Sequence, residues 1–111
     1  MPLKIVRADH DGRPVLAING ELDLVTAPLL ADAATALADE GEQDIVIDAH
    51  ELTFCDSSGL TAFVRIANRL EPRGRLAIAG AQPIVRRVLD VSGLVEAFVV
   101  TDTVPDAIAS L

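Results

Sequence analysis

Ile45-Val46-Ile47-Asp48, then Asp56-Ser57-Ser58-Gly59-Leu60 running on to Leu70, then Leu76-Ala77-Ile78-Ala79, form the stretch on which the reading of the fold turns. From Ser57 to Leu70 the apolar residues Leu60, Phe63, Val64, Ala67 and Leu70 recur at helical spacing, with Thr61, Arg65, Asn68 and Arg69 opposite them. That period predicts an amphipathic helix. The apolar runs on either side are too short for helices. Each reads as a strand covered on both faces, with Asp48 ending the first of them.

The same alternation extends outward. Leu3-Lys4-Ile5-Val6 predicts a first strand, and Asp11-Gly12 a tight turn into Val15-Leu16-Ala17-Ile18, which closes at Asn19-Gly20. Glu21-Leu22-Asp23-Leu24-Val25 leads to Thr26 as an N-cap, with Pro28 in the first turn of a helix reaching about Glu40 and Gly41 just past it. After Ala79, Pro83 opens a helix with the stripe Ile84, Val85, Val88 and Leu89, and Gly93 closes it. Ala97 to Val100 is a last strand, and Thr103-Val104-Pro105 starts a terminal helix ending at Leu111. Strands separated by helices pair in parallel through right-handed crossovers. The expectation is an α/β fold in one domain over residues 1–111. It has a single mixed sheet, antiparallel at the N-terminal hairpin and parallel after it, flanked by helices.

Composition narrows what such a domain can do. Half of the 111 residues are apolar, but only 3% are aromatic, so the core is aliphatic and base stacking has almost nothing to use. The net charge of −8 argues against nucleic acid and against direct contact with an anionic membrane. Residues 9–56 carry most of the acids with one base, Arg13, whereas residues 65–87 carry six arginines and one acid, Glu71. That segregation suggests an oriented encounter with a charged protein, set against ordinary solvated surface. A lone cysteine, Cys55, builds neither an internal disulfide nor a zinc site. The opening Met-Pro-Leu-Lys has no signal-peptide pattern and no apolar run is long enough to span a bilayer, so a cytoplasmic location is expected.

Catalytic constellations are missing. The glycines are scattered singly, which leaves no phosphate loop. His10 and His50 fall in or near predicted turns without metal-ligand spacing, so neither a metal nor a cofactor is expected, nor enzyme activity. A phosphoacceptor of the receiver type would use Asp48 or Asp56, but the acidic pair and the lysine it requires are absent, the only lysine being Lys4. Phe54-Cys55-Asp56-Ser57-Ser58-Gly59-Leu60 is the exception, because it follows a strand and opens the strongest helix. Two readings of its serines stand side by side. Either they cap the helix, for which Asp56 and Ser57 are both good residue types, or they present a hydroxyl at the positive end of its dipole, where a phosphoryl group would be favoured.

Gly20-Glu21-Leu22-Asp23, Asp48, Asp56-Ser57-Ser58-Gly59-Leu60 and Val91-Ser92-Gly93-Leu94 occur together in an order and spacing that resembles the STAS domain. The likeness is greatest to the single-domain anti-sigma factor antagonists of bacteria. The resemblance covers nearly the whole chain and implies partner switching. The unphosphorylated protein binds an anti-sigma factor serine kinase and frees the sigma factor. The kinase phosphorylates the first serine of the motif, Ser57, and a PP2C-type phosphatase resets it. On that reading the nucleotide and metal belong to the kinase. Asp23, Thr26, Asp56, Ser58 and Gly59 would form the docking face, Gly59 by keeping the helix start accessible, and the free protein would be a monomer. The alternative within the family is an adaptor subunit of a lipid ABC transporter or of a stress-signalling assembly.

Overall fold

The computed structural model describes residues 3–93 and 96–111. The described elements run β1 (Lys4–His10), β2 (Arg13–Leu22), α1 (Ala27–Asp39), β3 (Ile45–Cys55), α2 (Ser57–Leu70), β4 (Leu76–Ala79), α3 (Pro83–Ser92), β5 (Val99–Thr101) and α4 (Val104–Ser110). They form one mixed five-stranded sheet in the order β1-β2-β3-β4-β5. β1 and β2 are antiparallel, and the other neighbouring pairs are parallel.

Sequential order decides where the helices go. Each parallel connection steps the same way across the sheet, and a right-handed crossover then places α1, α2 and α3 on one face. The packing agrees. Leu30, Ala34 and Leu37 of α1, Phe63, Ile66 and Leu70 of α2, and Val85 and Leu89 of α3 share one core with Leu16, Ile18, Ile45, Ile47 and Ile78. Alternate residues of the same strands, Val15, Val46, Ala77 and Ala79, turn to the other face and meet Ala107 and Ile108 of α4. Phe63 meets Phe98 edge to face, with ring centroids 5.9 Å apart.

Several strand boundaries differ from the sequence reading, among them β1, which runs past Val6 to His10, and β2, which already starts at Arg13. β2 runs on to Leu22 instead of closing at Asn19-Gly20, and β3 continues beyond Asp48 to Cys55. The register explains why periodicity hid this. Ala17 pairs Asp48 but Asn19 pairs Glu51, and Gly20 pairs Leu52 but Glu21 pairs Phe54. Each shift inserts an extra residue into β3, and such bulges break the alternation of faces. The last strand lies at Val99–Thr101, one step later than Ala97–Val100, because Ala97 and Phe98 still belong to the turn leading in. Gly93 caps α3 as expected, in the left-handed conformation at φ 74°. Leu94, the end of the Ser-Gly-Leu element, lies outside the described residues.

Folding pairs part of the basic segment with carboxylates. Arg69 of α2 pairs with Asp39 of α1, and the Arg75 backbone N–H donates to Asp44 at 2.9 Å. Arg86 lies 3.4 Å from Asp90 and 3.6 Å from Asp102. Among the described residues, Arg65, Arg73 and Arg87 are the arginines in no ion pair and no side-chain hydrogen bond.

His50 sits within β3, exposed, and not in a turn. Its Nδ1 lies 2.8 Å from Asp48 Oδ1 and its Nε2 3.4 Å from Glu51. The hydrogen bond to Asp48 raises the imidazole pKa above its ordinary 6.5, with the charges of Asp48 and then Glu51 adding to it against a small opposing effect of burial. The raised value means that the folded chain holds the proton more tightly than the unfolded one. The pair therefore stabilises the fold fully below about pH 6.5, and that contribution is lost as pH rises through the folded value. The imidazole signals followed by NMR should titrate above the ordinary value and move back towards it in Asp48→Asn.

Candidate functional site

Because β2 and β3 pair as far as Leu22–Cys55 while β3 and β4 pair only as far as Asp48–Ala79, the ends of β2 and β3 overhang the sheet. Beyond that overhang the chain turns twice, from β2 into α1 and from β3 into α2. The Asp56 N–H donates to the Leu22 carbonyl at 3.2 Å and locks the two turns side by side.

Each turn is held by an aspartate. Asp56 is in an extended conformation, and its Oδ1 accepts from the N–H groups of Ser58 at 2.9 Å and Gly59 at 3.3 Å. This is N-capping, with the donors of the first turn satisfied by the residue just before it. The cap reading of the serines therefore passes to Asp56. Ser57, the first residue of α2, is exposed, and its hydroxyl makes no hydrogen bond among the described residues. Ser58 is half-buried.

Asp23 does for the other turn what Asp56 does for α2. Its Oδ1 accepts from the N–H groups of Val25 and Thr26, each at 3.0 Å. Those bonds, led by the one from Thr26, hold its carboxyl below the ordinary range. Thr26 occupies the position before α1 but caps nothing with its side chain. Its hydroxyl instead donates to the Glu21 carbonyl at 2.7 Å and accepts from the Asp23 N–H at 2.9 Å. Thr26 is only 5% exposed. It shapes the loop from beneath, and the residues the loop presents to solvent are Leu24 and Val25, 76% and 79% exposed.

Gly59 also lies beneath the face. A Cβ there would stand 2.6 Å from Cys55 Sγ and 2.8 Å from Leu22 Cδ2, so the glycine lets α2 press on the ends of β2 and β3. The accessible helix start expected of it comes from Ser57 instead. Cys55 is buried, and desolvation, with a smaller contribution from the Asp56 charge, pushes its thiol up to about 12. It is an inert packing residue.

Two depressions flank the start of α2. One, of about 200 Å³, lies between α1 and α2 and is lined by Leu24, Pro28, Ser58 and Arg65 among others. The other, of about 410 Å³, lies between α2 and α3 and is lined by Ser57, Leu60, Arg87, Val88, Val91 and Ser92. Leu24 and Val25 on the turn before α1 and Val91 on α3, 77% exposed, are large apolar side chains left in solvent around the start of α2. Motif reading missed Leu24, Val25 and Arg87, and took in Val91 only as a letter of the Val91-Ser92-Gly93-Leu94 element, without a place at the site. The one available signal was an apolar Leu24-Val25 pair standing outside the stripe of the helix it precedes. No group of His, Cys, Asp and Glu among the described residues could hold a metal, and no helix among them is long and apolar enough to cross a membrane.

With this geometry in view, comparison with known proteins places the chain. The STAS domain family model matches residues 4–107, and the chain belongs to that family. It is 28% identical over 109 residues to the anti-sigma-F factor antagonist RsfB of Mycobacterium tuberculosis, covering 98% of this chain and 89% of that one. Among solved structures it is similar to an anti-sigma factor antagonist from Mycobacterium paratuberculosis, at a TM-score of 0.90 and 30% identity over 97% of this chain and 92% of that one. It also resembles the anti-sigma factor antagonist SpoIIAA in its unphosphorylated form, at a TM-score of 0.78 and 26% identity over 96% and 95% of the two chains.

Two substitutions test this construction. Asp56→Ala should cost about 1 kcal/mol, and up to about 2 kcal/mol, through loss of the cap, read from urea unfolding midpoints. Gly59→Ala should be destabilising despite the better helix propensity of alanine, by about 1–2 kcal/mol, because overpacking against Leu22 and Cys55 outweighs the propensity gain. Equal or higher stability of Gly59→Ala would mean that the helix and strand ends are not in contact there.

Proposed function

We propose that this chain is an anti-sigma factor antagonist that works by partner switching. Its unphosphorylated form docks an anti-sigma factor serine kinase through the surface around Ser57 and so frees a sigma factor. Phosphorylation of Ser57 by that kinase ends the complex, and a PP2C-type phosphatase restores the binding form. The chain itself acts as competitor and substrate. Ser57 Oγ would form its bond to the γ-phosphorus of ATP as the bond to ADP breaks, with the hydroxyl proton passing to a base of the kinase.

The observation that carries this reading is the division of labour between Asp56 and Ser57. A serine required as a cap would be tied to backbone donors. Here the aspartate makes those bonds, and the next hydroxyl is spare, exposed and at the positive end of a 14-residue helix. Phosphorylation would leave the cap intact and add roughly −1.5 to −2 charges at pH 7. That charge would enter a surface built from Leu24, Val25 and Val91. The relatives named as anti-sigma factor antagonists support the same assignment.

Release follows from electrostatics. At an effective dielectric of about 20, two unit charges about 4 Å apart interact by about 4 kcal/mol before solvation offsets it. A phosphate against a partner carboxylate, or stripped of water among apolar side chains, would lower affinity by several powers of ten. The test is intact mass with site mapping after incubation with ATP in host lysate, followed by binding to the kinase recovered from it. One phosphoryl group on Ser57, none in Ser57→Ala, and loss of kinase binding on modification are the expected results. Phosphorylated chain that binds the kinase as tightly as unmodified chain would overturn the switch.

A further inference from the structure

The cleft between α2 and α3 has Ser57 on one wall and Arg87 on the other, with Leu60, Val88 and Val91 completing its apolar lining. Arg87 is exposed and has no ion-pair or hydrogen-bond partner among the described residues, although its neighbour Arg86 is held by Asp90 and Asp102. A guanidinium on a flexible stem is thus free beside a free hydroxyl. Stem and cleft are apolar and can lie together while the charged head moves.

We propose that Arg87 is the intramolecular receiver of the phosphoryl group on Ser57, folding across the cleft to pair with it and closing the cleft to a partner. The inference rests on the reading of Ser57 as phosphoacceptor and adds a second component to release. In the unmodified chain the cleft is open and Arg87 has no charged partner among the described residues. Once Ser57 carries a phosphate, the guanidinium can bind two of its oxygens at once, which is the strongest pairing available to either group. The Arg87 stem then covers Leu60, Val88 and Val91, so the modified chain loses the apolar cleft as well as gaining charge. A phosphate held this way is partly withdrawn from phosphatases, which lengthens the unbound state.

The charged surroundings favour Arg87 for this role. The carboxylates near the start of α2 are those of Asp56 and Asp23, both already accepting from backbone N–H groups. Asp90, on the same helix as Arg87, is engaged by Arg86. Arg65, the other unpaired arginine near the site, lines the depression on the opposite side of α2 with Ser58 and not with Ser57.

The test uses the full chain with phosphoserine incorporated at position 57 during synthesis, so that it depends on no kinase. The second ionisation of the phosphate, near pH 6 in the free group, is followed by phosphorus NMR in the parent, Arg87→Gln and Arg87→Lys. Arg87→Gln should raise it by about half a unit or more, and Arg87→Lys, which keeps the charge but not the two-pronged geometry, should fall between the two. In a second measurement, a non-specific phosphatase should remove the phosphate from Arg87→Gln several-fold faster than from the parent. Superimposable titrations, or equal dephosphorylation rates, in parent and Arg87→Gln would overturn the proposal. Failure of host kinases to modify Ser57 would count against the switching role alone, since the synthetic phosphoserine chain reports on Arg87 in either case.

Discussion

The hydrogen bond from Asp56 N–H to the Leu22 carbonyl, 3.2 Å long, closes the overhang of β2 and β3, and the site depends on it. Were these strands to end level with β4, the turns into α1 and α2 would be separated by the width of the sheet edge. By pairing as far as Leu22 and Cys55, they carry both turns out together. Asp23 and Asp56 then each tie down the chain immediately beyond, with carboxylate oxygens aimed at backbone donors. The outcome is a rigid frame that leaves the Ser57 and Ser58 hydroxyls untied among the described residues, Ser57 being the exposed one. A rigid frame suits a phosphorylation switch, because the modification need not reorganise the fold to change what the surface can bind.

That frame also explains which motif residues stay hidden. In a sequence motif such as Asp-Ser-Ser-Gly-Leu, neighbouring letters invite a single role. The structure divides them by depth. Asp56 satisfies the helix end, Ser57 faces solvent, Gly59 admits Leu22 and Cys55, and Leu60 lines the apolar cleft. Glycine is needed at position 59 by packing from inside, so the motif of this chain owes part of its form to the joint between α2 and the strand ends.

The fold could be read from the sequence wherever the hydrophobic period was unbroken. The α2 stripe, the apolar run at Ile45-Val46-Ile47 and the alternation of strand and helix were enough to give a mixed sheet with one antiparallel hairpin. The far half of β3 could not be read, since two inserted residues rotate Ala49 to Cys55 out of register with the pattern before them. The candidate site was legible as far as its motif reached. Ser57, Asp56 and Asp23 are local features whose chemistry shows in their own neighbours. Arg87 and Val91 enter only because α3 packs beside α2, and Thr26 leaves the surface only because its hydroxyl finds Glu21 and Asp23. Neither fact is a property of a short stretch of chain.

Segregated charge along the sequence shows the same limit from the other side. Arg69 looks like a member of a basic segment, yet it folds onto Asp39 from the acidic one. Exposed pairs of this kind contribute little to stability, but they remove charge from the surface that an approaching protein meets. What is left for a partner, or for a phosphate, is the set of arginines that folding leaves unmatched. Arg65 and Arg87 stand on opposite sides of the start of α2, one in each depression beside the serines. Those two arginines share the start of α2 with the carboxylates of Asp23 and Asp56, so the net charge of −8 does not describe the balance of charge there. A group near Ser57 meets this local balance first, because at physiological ionic strength charges more than about 8 Å away across solvent are largely screened.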